Sequence, residues 1–154
     1  MHATRRRVLK LGSGLAVAAF CGLGGLHAPL ARAAESRPAF LSTAMADALK
    51  ALGAEGAKPS TDIAIKAPDI AENGAVVPIE VESRIAGTRS IAVLVEKNPH
   101  VMSAQFTIPE GTDAFVGMRA KVAESSNVHV VVKTDGGAFT ASRLVKVTLG
   151  GCGG

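Results

Sequence analysis

The chain is predicted to be mainly β: an antiparallel sandwich of about seven short strands, preceded by one helix and followed by a flexible Gly-rich arm. Three observations predict it. Apolar residues alternate with polar ones along most of the chain after residue 60, the period of a half-buried strand. Turn residues interrupt these runs about every 8–12 residues. Only one stretch, residues 40–52, repeats its apolar residues at helical spacing. Seven short strands with this turn spacing are the pattern of an immunoglobulin-like sandwich.

The elements follow in order. Leu41, Met45, Ala48, Leu49 and Leu52 recur at steps of three and four, which predicts a helix over residues 40–52, and Gly53 stands where a C-terminal cap belongs. Gly56 to Thr61 reads as a loop. Ile63 and Ile65 share one face of a short strand. Val77, Ile79, Val81 and Ile85 alternate with Pro78, Glu80, Glu82 and Arg84, a half-buried strand. Ile91, Val93 and Val95 make the next strand, ended by Asn98-Pro99. Ala104 to Ile108 is stopped by Pro109-Glu110-Gly111. Met118, Ala120 and Val122 alternate with Arg119 and Lys121, and Ser125-Ser126-Asn127 turns. Val128, Val130 and Val132 follow, and Asp135-Gly136-Gly137 turns again. The last strand runs from Phe139 to Leu149, with Val145, Val147 and Leu149 on one face.

The front of the chain reads as an export signal, residues 1–33. Thr4-Arg5-Arg6-Arg7-Val8-Leu9-Lys10 fits the twin-arginine pattern, with Val8 at the one departing position. A weakly apolar stretch rich in Gly and Ala follows, then the small-x-small site Ala31-Arg32-Ala33. A membrane anchor is the competing reading, since about 20 apolar residues span a bilayer. The glycines and the cleavage site favour removal, after which no membrane contact is expected. Cys21 sits inside the apolar stretch and is a poor lipoprotein cysteine. The expected destination is the periplasm, or the outside of the cell, by a route that carries folded proteins, so a bound partner can travel with the chain.

The formal charge of +4, from 17 basic and 13 acidic residues, belongs to the signal. Arg5, Arg6, Arg7, Lys10 and Arg32 leave with it, and 17 minus 5 gives 12 basic against 13 acidic residues. With no basic run and no interleaved aromatics, nucleic-acid binding has no electrostatic footprint. Residues 34–149 read as one domain with a modest core built without Trp or Tyr. Cys21 and Cys152 are the two cysteines, so the processed chain keeps a single thiol in an oxidising compartment.

That thiol sits in Gly150-Gly151-Cys152-Gly153-Gly154, residues 150–154. Glycine has no Cβ and the widest backbone freedom. Five extended residues reach roughly 15–18 Å. Such a strand is thin enough to thread a narrow channel and present sulfur inside another protein, as a swinging arm. It is poorly suited to catalysis of its own, because nothing on a glycine arm holds a base or cation beside the thiol. Activation is expected from a partner's active site, and no catalytic set, metal site or cofactor is expected in the chain.

The Gly-Gly-Cys-Gly-Gly end, the Val145-Lys146-Val147-Thr148-Leu149 strand before it and the twin-arginine signal together closely resemble the SoxY family, the carrier subunits of the periplasmic sulfur-oxidation (Sox) system. The resemblance covers the whole chain and is weakest in the middle. It implies that Cys152 carries the sulfur and that Gly150, Gly151, Gly153 and Gly154 form the arm. It implies a heterodimer with SoxZ. SoxAX would couple thiosulfate to the cysteine as an S-thiosulfonate, SoxB would release sulfate, and SoxCD, where present, would oxidise the remaining sulfane.

Other readings are open to the same residues. The tail could be a frayed end with a stray thiol. His100, His129, Met102, Met118 and Cys152 include the ligand types of a blue-copper site, but the chain given stops before any ligand loop after the cysteine. An exposed thiol could serve a redox adaptor or a disulfide-linked dimer. Glu80, Glu82, Arg84 and Arg89 read as a solvated strand face.

Overall fold

The computed structural model describes residues 37–148, which form two short helices and nine strands. The helices are α1 (Pro38–Leu41) and α2 (Met45–Ala51). The strands are β1 (Lys58–Pro59), β2 (Ile63–Lys66), β3 (Ile70–Ala71), β4 (Val77–Ser83) and β5 (Thr88–Val95). They continue as β6 (Met102–Thr107), β7 (Phe115–Ala120), β8 (Ser126–Thr134) and β9 (Gly137–Val147). None of the described helices is long and apolar enough to cross a membrane.

The protein is mainly β, in two sheets. The larger has the order β1-β9-β8-β5-β6, with β3 also paired to β9; the smaller has the order β2-β4-β7. All seven strands read from the alternation are present, but β7 ends at Ala120, short of Val122, and β9 ends at Val147, the expected end at Leu149 lying outside the described residues. The two-residue strands β1 and β3 were not legible, and β1 falls within the expected loop 56–61. Both pair with β9 in parallel, where an antiparallel set was expected. Two residues cannot show a period, so nothing in the pattern marks them.

Alternation places one core between the sheets. Val77, Ile79 and Val81 of β4 meet Ile91, Val93 and Val95 of β5, with Val128, Val130 and Val132 of β8 and Val145 of β9. Successive strand residues point to opposite faces, which sends Glu80 and Glu82 outward, where they pair with Lys66 and Arg84. The charged-face reading of β4 therefore holds. The expected strand over residues 77–85 ends at Ser83. The Ser83 hydroxyl lies 2.9 Å from that of Thr88 across the turn, so Ile85 sits beyond the strand, half-buried against the core.

The larger sheet is covered on its other face as well. Ala92 and Leu94 of β5 and Val131 of β8 are buried there with Ala48, Leu52, Ala54 and Val101. The helical segment thus forms a third layer, and β5 is buried from Ile91 to Val95.

The single helix expected over residues 40–52 is two helices. Ser42 is extended, with φ −69° and ψ 131°. Its carbonyl accepts the Val101 N–H at 3.1 Å, ahead of β6, so a tertiary bond replaces helix continuation. The break turns Leu41 outward, 71% exposed, although its spacing put it on the buried face. The C-terminal end is as expected. Gly53 has φ +62°, and the bonds Gly53 N–H to Lys50 O and Ala54 N–H to Leu49 O close a Schellman motif. The Lys133 ammonium donates to Leu52 O at 2.8 Å, fastening the helix end to β8.

Candidate functional site

The expected site residues Cys152, Gly150, Gly151, Gly153 and Gly154, and the signal residues Arg5 and Arg6, lie outside the described residues. What the structure describes is the root of the tail, the end of β9 from Val145 to Val147 with Thr148 after it, and the residues that hold it.

β8 and β9 pair antiparallel from Thr134↔Gly137 to Ser126↔Val145, where β8 begins. Beyond that register Val147 has no strand on the β8 side. The Ser125 hydroxyl takes its place: it accepts the Val147 N–H at 2.9 Å and donates to the Val147 carbonyl at 3.4 Å. On the opposite edge β3 runs parallel, with Ile70↔Lys146 and Ala71↔Val147 in register. There the Lys146 N–H donates to Asp69 O at 2.9 Å and the Thr148 N–H to Ala71 O at 3.1 Å.

Gly74 lies beneath. A Cβ on it would come within 2.4 Å of the Val122 carbonyl and 2.8 Å of Val147 Cγ1. Only a residue without a side chain lets this segment pass, and the Val122 N–H then donates to Gly74 O at 2.7 Å. Gly74→Ala is expected to cost about 1–3 kcal/mol through overpacking against backbone, read as a lower denaturant midpoint at unchanged slope. The loop before Ser125 is itself pinned by Asn98, whose side chain donates to Lys121 O at 2.7 Å and accepts the Ala123 N–H at 2.9 Å. Ser126 Oγ accepts the Lys97 N–H at 3.1 Å. Farther back, Arg143 of β9 ties to Asp69 at 2.9 Å and reaches Ile65 O of β2 at 3.5 Å. The tail therefore leaves from a strand end held on both edges and from below.

Asn127 and His129, next along β8, face Glu96. The Asn127 amide donates to Glu96 Oε2 at 2.9 Å, and His129 Nε2 lies 3.6 Å away. The Asn127 hydrogen bond, and then His129, hold the Glu96 carboxyl below its ordinary range. At the far end of the sheet, Arg89 grips Asp135 through Nε and Nη2 at 3.0 and 2.9 Å and lowers its carboxyl in the same way. A carboxyl depressed by folding stabilises the fold above its unfolded value, and that contribution is lost as pH falls through the folded value. Both groups are expected to titrate below free Glu and Asp in carboxyl NMR. Acidification below the ordinary carboxylate range is expected to lower stability less steeply in Glu96→Gln than in the parent.

The four candidate copper ligands within the described residues are dispersed. Met102 is buried under the helices, Met118 packs on the core between the sheets, His129 faces Glu96 and His100 is exposed. Among the described residues no group of three or more His, Cys, Asp and Glu is arranged to hold a metal ion. An open polar depression lined by Arg84, Arg89, Glu110 and Asp113 lies beside Thr88. That is the Thr134–Gly137 end of the sheet, away from the tail. Its Arg89 is already paired to Asp135 and Glu110.

Of the residues that hold the root, none was singled out from sequence. Ser125 was read only as part of a turn. The available signal was that a serine at a turn readily bonds neighbouring backbone, and this did not specify Val147 as its partner.

The family model described as sulfur oxidation protein SoxY matches residues 49–152, a span that includes Cys152. Among solved structures, the sulfur carrier protein SoxY from Chlorobium limicola f thiosulfatophilum matches with 37% identity and a TM-score of 0.59, over 67% of this chain and 96% of that one. An engineered protein matches at 14% identity and a TM-score of 0.41, over 56% of this chain and 20% of that one, too distant to carry an argument. No curated protein matches the sequence. The family match over most of the chain and the 37%-identical solved relative agree, and the chain belongs to the SoxY family of sulfur-oxidation proteins.

Proposed function

We propose that this protein is a periplasmic, non-enzymatic carrier that holds sulfur intermediates covalently on Cys152 and presents them to the Sox enzymes. The observation that carries the reading is a bare thiol among four glycines, within the matched family span, following a strand whose end is firmly held. Glycines give the segment freedom, and the anchored root gives it a fixed origin. From Thr148 to Cys152 four residues reach at most about 14 Å.

The chemistry balances simply. The Cys152 thiolate and the outer sulfur of thiosulfate would form an S–S bond with loss of two electrons, which the SoxAX cytochrome would accept in one-electron steps, giving the cysteine S-thiosulfonate. Water then attacks the terminal sulfone in SoxB. Sulfate and two protons are released and a persulfide stays on Cys152. SoxCD, where present, would oxidise that sulfane with three waters to a sulfonate, taking six electrons and releasing six protons, and SoxB would then hydrolyse it to sulfate and return the free Cys152 thiolate. The carrier's own part is to supply the thiol and reach, while each partner site supplies the base, cation or oxidant that activates it.

The immunoglobulin-like reading of the two sheets, twin-arginine export through Arg5 and Arg6 with removal of residues 1–33, pairing with SoxZ, and division into a domain to residue 149 and an arm over 150–154 belong to the same proposal. The test is reconstituted thiosulfate oxidation. Alkylation of Cys152 is expected to stop sulfate release, and a bulky extension after Gly154 is expected to slow it at least tenfold. Full turnover by the alkylated protein would refute the carrier role.

A further inference from the structure

The held strand end has a consequence for reach. β8 begins at Ser126, opposite Val145, two residues short of Glu124, the position that would face Val147 in the same register. A single side chain supplies both missing partners. The Ser125 hydroxyl accepts from the Val147 N–H at 2.9 Å and faces the Val147 carbonyl at 3.4 Å. It thereby closes the β8-side edge, while Ala71 holds Thr148 from the other. Ser125 is solvent-exposed and takes no part in the core, so the arrangement is not needed to bury apolar surface. Its loop is braced in turn by Asn98, through Lys121 and Ala123.

We propose that Ser125 is a positioning residue that sets where the free arm begins, and so how far Cys152 reaches. This rests on the carrier reading of the tail. With the hydroxyl in place, the arm starts after Thr148. Without it, Val147 loses its β8-side bonds and keeps only its side-chain packing at Gly74 and the two bonds that its neighbours Lys146 and Thr148 make on the side of the two-residue parallel strand β3. Val147 and Thr148 then fray and join the arm. Two more free residues extend the reach by up to about 7 Å and loosen the direction in which the thiol is presented. A carrier that must enter several partner sites gains from one defined origin, because orientation lost at the root is multiplied along the arm.

The test needs no sulfur chemistry, so it separates this inference from the carrier role. In a full-length Cys21→Ser, Gln105→Cys background, nitroxides are placed on Cys152 and on position 105, an exposed site on β6. Ser125→Ala is expected to broaden the distance distribution and move its upper limit outward by up to about 7 Å. Amide exchange at Val147 is expected to quicken roughly tenfold, the loss of one modest hydrogen bond. Ser125→Thr, which keeps the hydroxyl, is expected to restore both values. An unchanged distance distribution and unchanged Val147 exchange in Ser125→Ala would overturn the inference. Failure of the carrier role would appear elsewhere, as sulfate release that survives alkylation of Cys152.

Discussion

Cys152→Ser is expected to reduce thiosulfate-dependent sulfate release to background while leaving the thermal midpoint of the domain unchanged. A serine oxygen cannot form the S–S bond on which each later step depends, so the loss is complete rather than graded. Stability is expected to stay within about 0.5 kcal/mol, as for substitutions away from packed or bonded positions. Circular dichroism and a denaturant curve check the fold, and sulfate release with purified partners checks carriage. Pairing with SoxZ is expected to survive. Residual turnover well above background would mean that another group carries the sulfur.

Leu94→Ala is expected to cost about 2–5 kcal/mol, the range for emptying a fully buried leucine site. Leu94 is completely buried on the face of the larger sheet that the helices cover. Leu41→Ala is expected to change stability by less than about 0.5 kcal/mol, because that side chain is 71% exposed. Helical spacing alone would assign Leu41 to the buried face. Equal costs for the two variants, measured as denaturant midpoints, would contradict the break at Ser42 and restore one continuous helix.

These two leucines show where the sequence was informative and where it was not. Strands with one covered face announce themselves by alternation, and Val77, Ile79 and Val81 of β4 did so. β5 carried a different signal. Ile91 to Val95 is an unbroken apolar run, as expected of a strand covered on both faces, but periodicity cannot say what covers the second face. The helix break was hidden because it is a tertiary event: Ser42 gives its carbonyl to Val101, far along the chain. β1 and β3 escaped because they are too short to have a period, and they exist only because β9 offers an open edge.

The candidate site divides in the same way. The lone thiol among Gly150 to Gly154 stood out in the sequence because such a segment has few other uses; those residues lie outside the described ones, and the SoxY resemblance they carried agrees with the family match over residues 49–152. The root was not legible. One hydroxyl at Ser125 and one missing Cβ at Gly74 acquire their roles only when Val147 is brought beside them, and one amide at Asn98 only when Lys121 and Ala123 are. Such contacts join residues more than 20 positions apart and leave no local pattern.

The most direct measurement of the central claim is the intact mass of the protein purified from the periplasm of thiosulfate-grown cells, with and without reductant, followed by mapping of the C-terminal peptide. Reducible additions matching sulfane or thiosulfonate groups on Cys152 are the result this account predicts. An unmodified thiol, or only a disulfide-linked dimer under the same conditions, would contradict it and favour a redox adaptor.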